Sequence, residues 1–263
     1  VLVLGVGPMS RWKRTSSSYL LQQLTKVAGA SLAIGLVLPL VVLFEVSFAA
    51  TVSVILASWI VLSIGKDMRN KIANKETASK GLRSLSLSYY GMQTAHIGMA
   101  VMLIGVGLTS YFSSERSVLL APGETVTLGA YAFRFEGSEP MRGPNYVGNM
   151  ATLAVSKDGN DIGELHPERR IYLATRTPST EMAIDAGFLR DLFITLGEEK
   201  EGGAWTMTVY VKPFVRWIWL GAIVMAWGGT VAATDKRYRR LHQRKTAKEK
   251  SQSGGLQTAT SQS

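Results

Sequence analysis

The sequence predicts an integral membrane protein, a polytopic α-helical bundle with a small β-rich domain inserted ahead of its last span. Three observations lead there. The apolar residues, 46% of 263, are bunched into long runs. The basic residues cluster in alternate gaps between those runs. The stretch from 113 to 212 alternates apolar and polar residues with the period of strands.

Taken in chain order, residues 1–8 ("VLVLGVGP") read as the closing turns of a truncated span, and residues 9–26 as a cytoplasmic loop. The opening has no methionine, basic n-region or small-residue cleavage site. The chain is therefore expected to be the C-terminal part of a longer or split membrane protein. Within residues 27–65 the only charged side chain is Glu45. Crossing ~30 Å of hydrocarbon takes roughly 20 apolar residues, so this run makes two spans turning near Glu45 to Ser47. Residues 66–88 form a basic loop with Lys66, Arg69, Lys71, Lys75, Lys80 and Arg83. Residues 89–112 make a third full span, whose one side chain able to carry charge near neutral pH is His96.

Residues 113–212 have a length that buries a core of its own. Tyr131, Phe133 and Phe135 alternate with smaller or charged neighbours, as do Trp205, Met207, Val209 and Val211. Asp158-Gly159 between two short runs signals a hairpin. Residues 213–234 are the last span, with Arg216 its only charge, and residues 235–263 a basic tail ending in polar low complexity, expected to be disordered.

Charge then orients the chain. Arg11, Lys13, Arg14 and Lys26, the six basic residues of the 66–88 loop, and the eight from Lys236 to Lys250 all fall on one side of these spans. The positive-inside rule makes that side, and the C-terminus, cytoplasmic. The β-rich region then lies outside, in the periplasm, with ten basic and fourteen acidic residues. The net charge of +10 therefore belongs to a face that meets anionic lipid, and nucleic acid is not the expected partner. Without cysteine, the chain supplies no disulfide, thiolate ligand or thiol nucleophile.

Of the three histidines, His166 reads as a solvated loop residue and His242 as an exposed member of the tail. His96 differs. An ionisable residue within a span faces protein or water and marks a functional site by default. It lies about seven residues in from the cytoplasmic end, roughly 10 Å at the helical rise. Two readings stay open on the residues alone: hydrogen bonding to a neighbouring helix, or ligation of an iron porphyrin by neutral imidazole. Met92, Met99 and Met102 offer adaptable packing on the same helix. Gly91, Gly98, Gly105 and Gly107 permit close approach of a flat cofactor or of another helix. A haem held by two histidines would need its second ligand from outside this chain.

Seven stretches occur in order: "GPMSRWKR", "AHIG", "RGPNYVG", "TEMAIDAGFLRDLF", "GEEKEGGAW", "YVKPFVRWIWLG" and "DKRYRR". Together they resemble the C-terminal part of the CcmF family, the haem-lyase subunit of bacterial cytochrome c maturation. The resemblance runs from Gly7 to Arg240. It implies a multi-pass protein of the inner membrane that attaches haem to the CxxCH cysteines of apocytochrome c. It implies the haem chaperone CcmE, CcmH, CcmI, the N-terminal part of the same lyase and quinol as partners, beside membrane lipid. It implies a transmembrane haem b with two histidine ligands, one in an "AHxG" span, which makes His96 an axial ligand that helps reduce the incoming haem.

The family's tryptophan-rich haem-presenting segment, its two extracytoplasmic haem histidines and its other haem b ligand have no counterpart here. The resemblance therefore implies a part of a lyase that is not active alone. Met92, Met99 and Arg216 are candidates for the haem or propionate surroundings, with simple snorkelling the other reading of Arg216. Trp217 and Trp219 read as an aromatic belt. Glu181, Arg190 and Asp191, in the most family-specific stretch, are candidates for docking CcmH or substrate. Two other readings compete: a non-enzymatic scaffold of the maturation complex, and the paralogous lyase that assembles a multihaem nitrite reductase.

Overall fold

A computed structural model of the chain describes residues 1–6, 17–43, 47–73 and 75–235. Glu45, His242 and the basic tail lie outside the described residues. The chain divides into two compact units, one of residues 1–104 with those from 219 onward, the other of residues 105–218.

The first unit is helical. It contains α1 (Leu2–Val6), α2 (Ser17–Leu43), α3 (Phe48–Ile72) and α4 (Ala78–Arg83), most of α5 (Leu87–Phe112) and most of α6 (Val215–Ala233). Four of these, α2, α3, α5 and α6, are long and apolar enough to cross a membrane. On α2 the residues Val27, Ser31, Gly35 and Pro39 are buried at every fourth position, while Leu32, Leu36, Val37 and Leu40 are exposed. Small residues on the buried stripe let α3 come close: a side chain at Gly35 would run into Ile55. Apolar residues facing outward from such a seam are what a lipid solvent requires. Ser47 caps α3, accepting a hydrogen bond from Ala50 N at 3.5 Å.

Two helices outlast the apolar runs that predict them. α2 begins at Ser17, inside the stretch expected as a loop, and α3 continues through Lys66, Asp67, Arg69 and Lys71. Charged residues end a span but do not end a helix, and Arg69 and Lys71 in the last turn complement its dipole.

The second unit is a β-sandwich of ten strands: β1 (Ser114–Leu120), β2 (Thr125–Leu128), β3 (Tyr131–Arg142), β4 (Tyr146–Lys157), β5 (Asn160–Leu165), β6 (Glu168–Tyr172), β7 (Pro178–Glu181), β8 (Ala183–Ala186), β9 (Arg190–Glu199) and β10 (Trp205–Pro213). One antiparallel sheet runs β1-β10-β9-β8, and the other β2-β3-β4-β6-β7 with β5 also paired to β4. The strand that follows α5 and the strand that precedes α6 are neighbours, Ser114 opposite Val211 through Leu120 opposite Trp205. That pairing closes the domain on its own two ends. The expected hairpin is present between β4 and β5, with Asp158 at φ 49° and Gly159 at φ 83°, the backbone a two-residue turn needs.

The core lies between the sheets. Phe133, Phe135, Leu153, Leu192, Ile194, Leu196, Met207 and Val209 have no exposed surface. The alternation visible in the sequence is the inner face of each strand. Phe133→Ala is expected to cost about 3–5 kcal/mol, the sum of lost transfer energy and the cavity left. Thermal unfolding followed by tryptophan fluorescence checks it, and a loss below about 1 kcal/mol would mean that the site is not packed as described.

Candidate functional site

Helix α5 starts at a polar cap, where the Ser86 hydroxyl accepts from Tyr89 N at 3.2 Å and Asp235 Oδ2 accepts from Ser88 N at 3.0 Å. With no proline or acidic residue inside, it runs 26 residues. One of its faces meets α6. A Cβ added at Gly98 would lie 2.6 Å from Met225 N and 2.7 Å from Gly221 O, and one at Gly221 would lie 2.6 Å from both Gly98 O and Met102 N. Gly91 and Gly228 face each other in the same way. These glycines are taken up by helix packing, so of the two readings of the glycines the cofactor loses Gly91 and Gly98.

A different stripe carries His96. Met92, His96, Met99 and Leu103 recur at spacings of four, three and four, which puts them on one side of the helix. Met99 and Leu103 pack against the buried cluster of Val27, Ala57, Trp59, Ile60, Ile64 and Ala100. His96 itself is half-buried. Its Nδ1 lies 2.7 Å from the Met92 carbonyl oxygen. A carbonyl only accepts, so Nδ1 carries the proton, and in the neutral ring the lone pair falls on Nε2. No described residue engages Nε2. A neutral imidazole, oriented by its other nitrogen and offering Nε2 from an apolar helix, fits the requirement for an axial metal ligand.

The residues present therefore fit one half of a haem site. His166, exposed on the β-sandwich, lies 3.3 Å from Thr152 Oγ1 and 3.7 Å from a Glu164 carboxylate oxygen.

One turn before His96 lies a polar cluster that sequence reasoning missed. Asp67 of α3, 5% exposed, accepts from Tyr89 Oη at 2.8 Å, Gln93 Nε2 at 3.2 Å and Lys71 Nζ at 2.7 Å. The Lys71 ammonium also stands 4.0 Å from the Tyr89 ring centre. The signal was present in Gln93, a polar side chain one turn from His96 in an apolar run, but its partner is 26 residues away on another helix. The cluster fixes the rotation of α5, and so where His96 points. Asp67→Ala is expected to cost about 2–3 kcal/mol by orphaning two buried donors, with Asp67→Asn milder because an acceptor remains. Thermal unfolding in detergent checks the order, and equal effects would remove the hydrogen bonds as the cause.

On the β-sandwich, Asp191 and Arg216 come together, with Nε 3.5 Å from Oδ1, while Asp191 also accepts from Gly187 N at 3.0 Å. Asp191 is 6% exposed. Arg190 pairs with Asp185 and donates to Tyr131 Oη at 3.1 Å. Burial alone would lower its pKa, but these hydrogen bonds outweigh it and hold the guanidinium above its ordinary value. Glu181 stands apart at the end of β7, 3.9 Å from Arg170. Asp191 and Arg216 thus form one pair at the starts of β9 and α6, Arg190 and Asp185 form a second, and Glu181 belongs to a third with Arg170.

Comparison with known proteins adds a family. Residues 111–213 match the family described as "CcmF C-terminal beta-sandwich". The cytochrome c-type biogenesis protein CcmF of Pseudomonas aeruginosa is 45% identical over 236 residues, 90% of this chain and 36% of that protein. CcmF of Escherichia coli is 37% identical over 249 residues, 94% of this chain and 37% of that protein. NrfE of Haemophilus influenzae, another cytochrome c-type biogenesis protein, is 39% identical over 146 residues, 56% of this chain and 23% of that protein. A solved structure of "Cytochrome c Heme Lyase CcmF" has the same fold over 88% of this chain and 37% of its own, with a TM-score of 0.68 at 19% identity. The chain thus spans little more than a third of the full-length relatives it matches.

Proposed function

Since the chain belongs to the CcmF family of cytochrome c biogenesis proteins, we propose that it is the C-terminal part of a haem lyase that joins haem to apocytochrome c, and that His96 is one axial ligand of a transmembrane haem b. The observation that carries this is the Nδ1 bond to the Met92 carbonyl. It selects the tautomer whose Nε2 lone pair points away from its own helix, in a segment too apolar to hold imidazole without a purpose. When bound, the haem supplies an electron for reducing the iron of the substrate haem, with quinol as the source.

The residues of this chain hold that group rather than act on substrate. His96 supplies the ligand, Met92 O orients it, and the Asp67–Tyr89–Gln93 bonds fix the helix that carries it. Met92 and Met99 flank His96 on its stripe; Met92 gives the macrocycle a deformable wall, while Met99, packed on the cluster around Ile60, backs the helix there. Arg216, held by Asp191, is a candidate for the propionates. The second histidine comes from the N-terminal part of the lyase. The protein then lies in the bacterial inner membrane with four spans from this chain and its C-terminus in the cytoplasm. Its β-sandwich faces the periplasm, where CcmH, CcmI, CcmE and apocytochrome c meet it. Arg190 and Asp191 shape that surface from behind, since both are tied up internally, whereas Glu181, 44% exposed beside Ser179 and Arg170, offers a carboxylate to a partner.

The test is a reduced-minus-oxidised visible spectrum of the chain purified with and without the N-terminal part. A b-type band that needs both pieces is expected. A colourless joined protein would return the chain to the scaffold reading.

A further inference from the structure

Helix α6 runs Val215–Ala233, 19 residues, or about 28 Å at the helical rise. That is the thickness of the hydrocarbon layer, so a helix of this length leaves nothing to spare. Read as a membrane span, it puts its first residues, and Phe214 before them, at the outer boundary of the acyl chains.

The β8–β9 turn is bonded to that boundary. Phe214 N donates to Leu189 O at 2.9 Å, at a corner where Phe214 has φ 62°. This is left-handed backbone that a bulky residue adopts only when its surroundings hold it there. The Phe188 ring centre lies 5.9 Å from that of Trp217, and Phe214 lies 5.6 Å from Trp217 and 6.3 Å from Phe112. The turn itself is rigid: Gly187 N is shared between Arg190 O at 2.9 Å and the Asp191 carboxylate at 3.0 Å.

A rigid turn at that level presents its two largest apolar side chains outward. Phe188 is 62% exposed and Leu189 58% exposed. On a water-facing loop two adjacent apolar side chains of this size would cost solubility. At the boundary between headgroups and acyl chains each is favourable, and aromatic residues concentrate there. Arg216, half exposed and 3.5 Å from Asp191, stands at the same end of α6.

We propose that the β8–β9 turn is a lipid anchor, with Phe188 and Leu189 inserted into the outer headgroup–acyl boundary of the bilayer beside the start of α6. It restrains the sandwich at a point other than its two chain connections. The proposal rests on the reading of α6 as a span, and the experiment separates the two.

The chain has no cysteine, so single labels are free of background. Phe188→Cys, Leu189→Cys, Ile223→Cys at mid-span and Asn160→Cys on the β4–β5 hairpin each receive an environment-sensitive fluorophore. The full chain is then reconstituted into phosphatidylethanolamine–phosphatidylglycerol vesicles. Lipid spin-labelled near the headgroup and aqueous iodide serve as quenchers. The expected result is a blue-shifted emission at 188 and 189 that the lipid quencher depletes and iodide does not, with the reverse at 160. Quenching at 188 and 189 by iodide alone overturns the anchor. Quenching there by neither reagent also overturns it, because a protein partner then covers the turn. Loss of lipid contact at 223 as well overturns the span reading and the anchor together, whereas contact at 223 alone leaves the span standing.

Discussion

A His96→Ala variant, joined to the N-terminal part of the lyase, is expected to lose its b-type absorption band and to fall to background in cytochrome c yield, while the protein still assembles in the membrane. The side chain is half-buried, and its one hydrogen bond among the described residues runs to a carbonyl of its own helix. Removing it leaves no charge unbalanced and no distant partner orphaned, so the fold should stand. Its chemical loss is large. Outer-shell partners of a metal ligand already cost about 10–100-fold in affinity when removed, and the ligand itself should cost more. Exogenous imidazole added to His96→Gly should recover part of the band, which a purely structural role would not allow. A band of full intensity in His96→Ala would remove this residue from the haem.

The second large effect is steric. Gly98→Ala should destabilise the α5–α6 pair by at least the about 1–3 kcal/mol typical of overpacking, because the added methyl would meet backbone atoms, Met225 N at 2.6 Å and Gly221 O at 2.7 Å, that cannot step aside. Gly29→Ala and Gly229→Ala have open space within 4 Å and should be neutral or stabilising by about 0.5–1 kcal/mol, since alanine loses less freedom in a helix. Thermal unfolding in detergent compares the three. Gly98→Ala behaving like the other two would mean that the helices are not in backbone contact.

The parts of this architecture that were legible in the sequence are those set by local pattern. Runs almost free of charge predict four long helices because hydrocarbon forbids open backbone, and alternation at Phe133 and Phe135 predicts strands because one face is buried. Helix ends were less legible, since Lys66 to Lys71 leave the apolar run without leaving the helix. Sheet order was not legible at all. β1 finds β10 some ninety residues later in the chain, Ser114 opposite Val211, and no local signal marks that pairing. His96 stood out as the one side chain in its run able to carry charge near neutral pH. What the sequence could not convey is its tautomer, fixed by a carbonyl four residues back, or the anchoring of its helix by Asp67. The glycines of α5 were ambiguous for the same reason, as only the presence of Gly221 and Gly228 opposite them separates helix packing from cofactor contact.

Ligation by His96 Nε2 is the claim on which the rest depends, and near-infrared magnetic circular dichroism of the oxidised joined protein reads axial ligands directly. The wild type should give the charge-transfer band of a bis-imidazole haem, and His96→Met should move that band to the histidine–methionine position. A bis-imidazole band unchanged in His96→Met would contradict the account, since both ligands would then lie elsewhere.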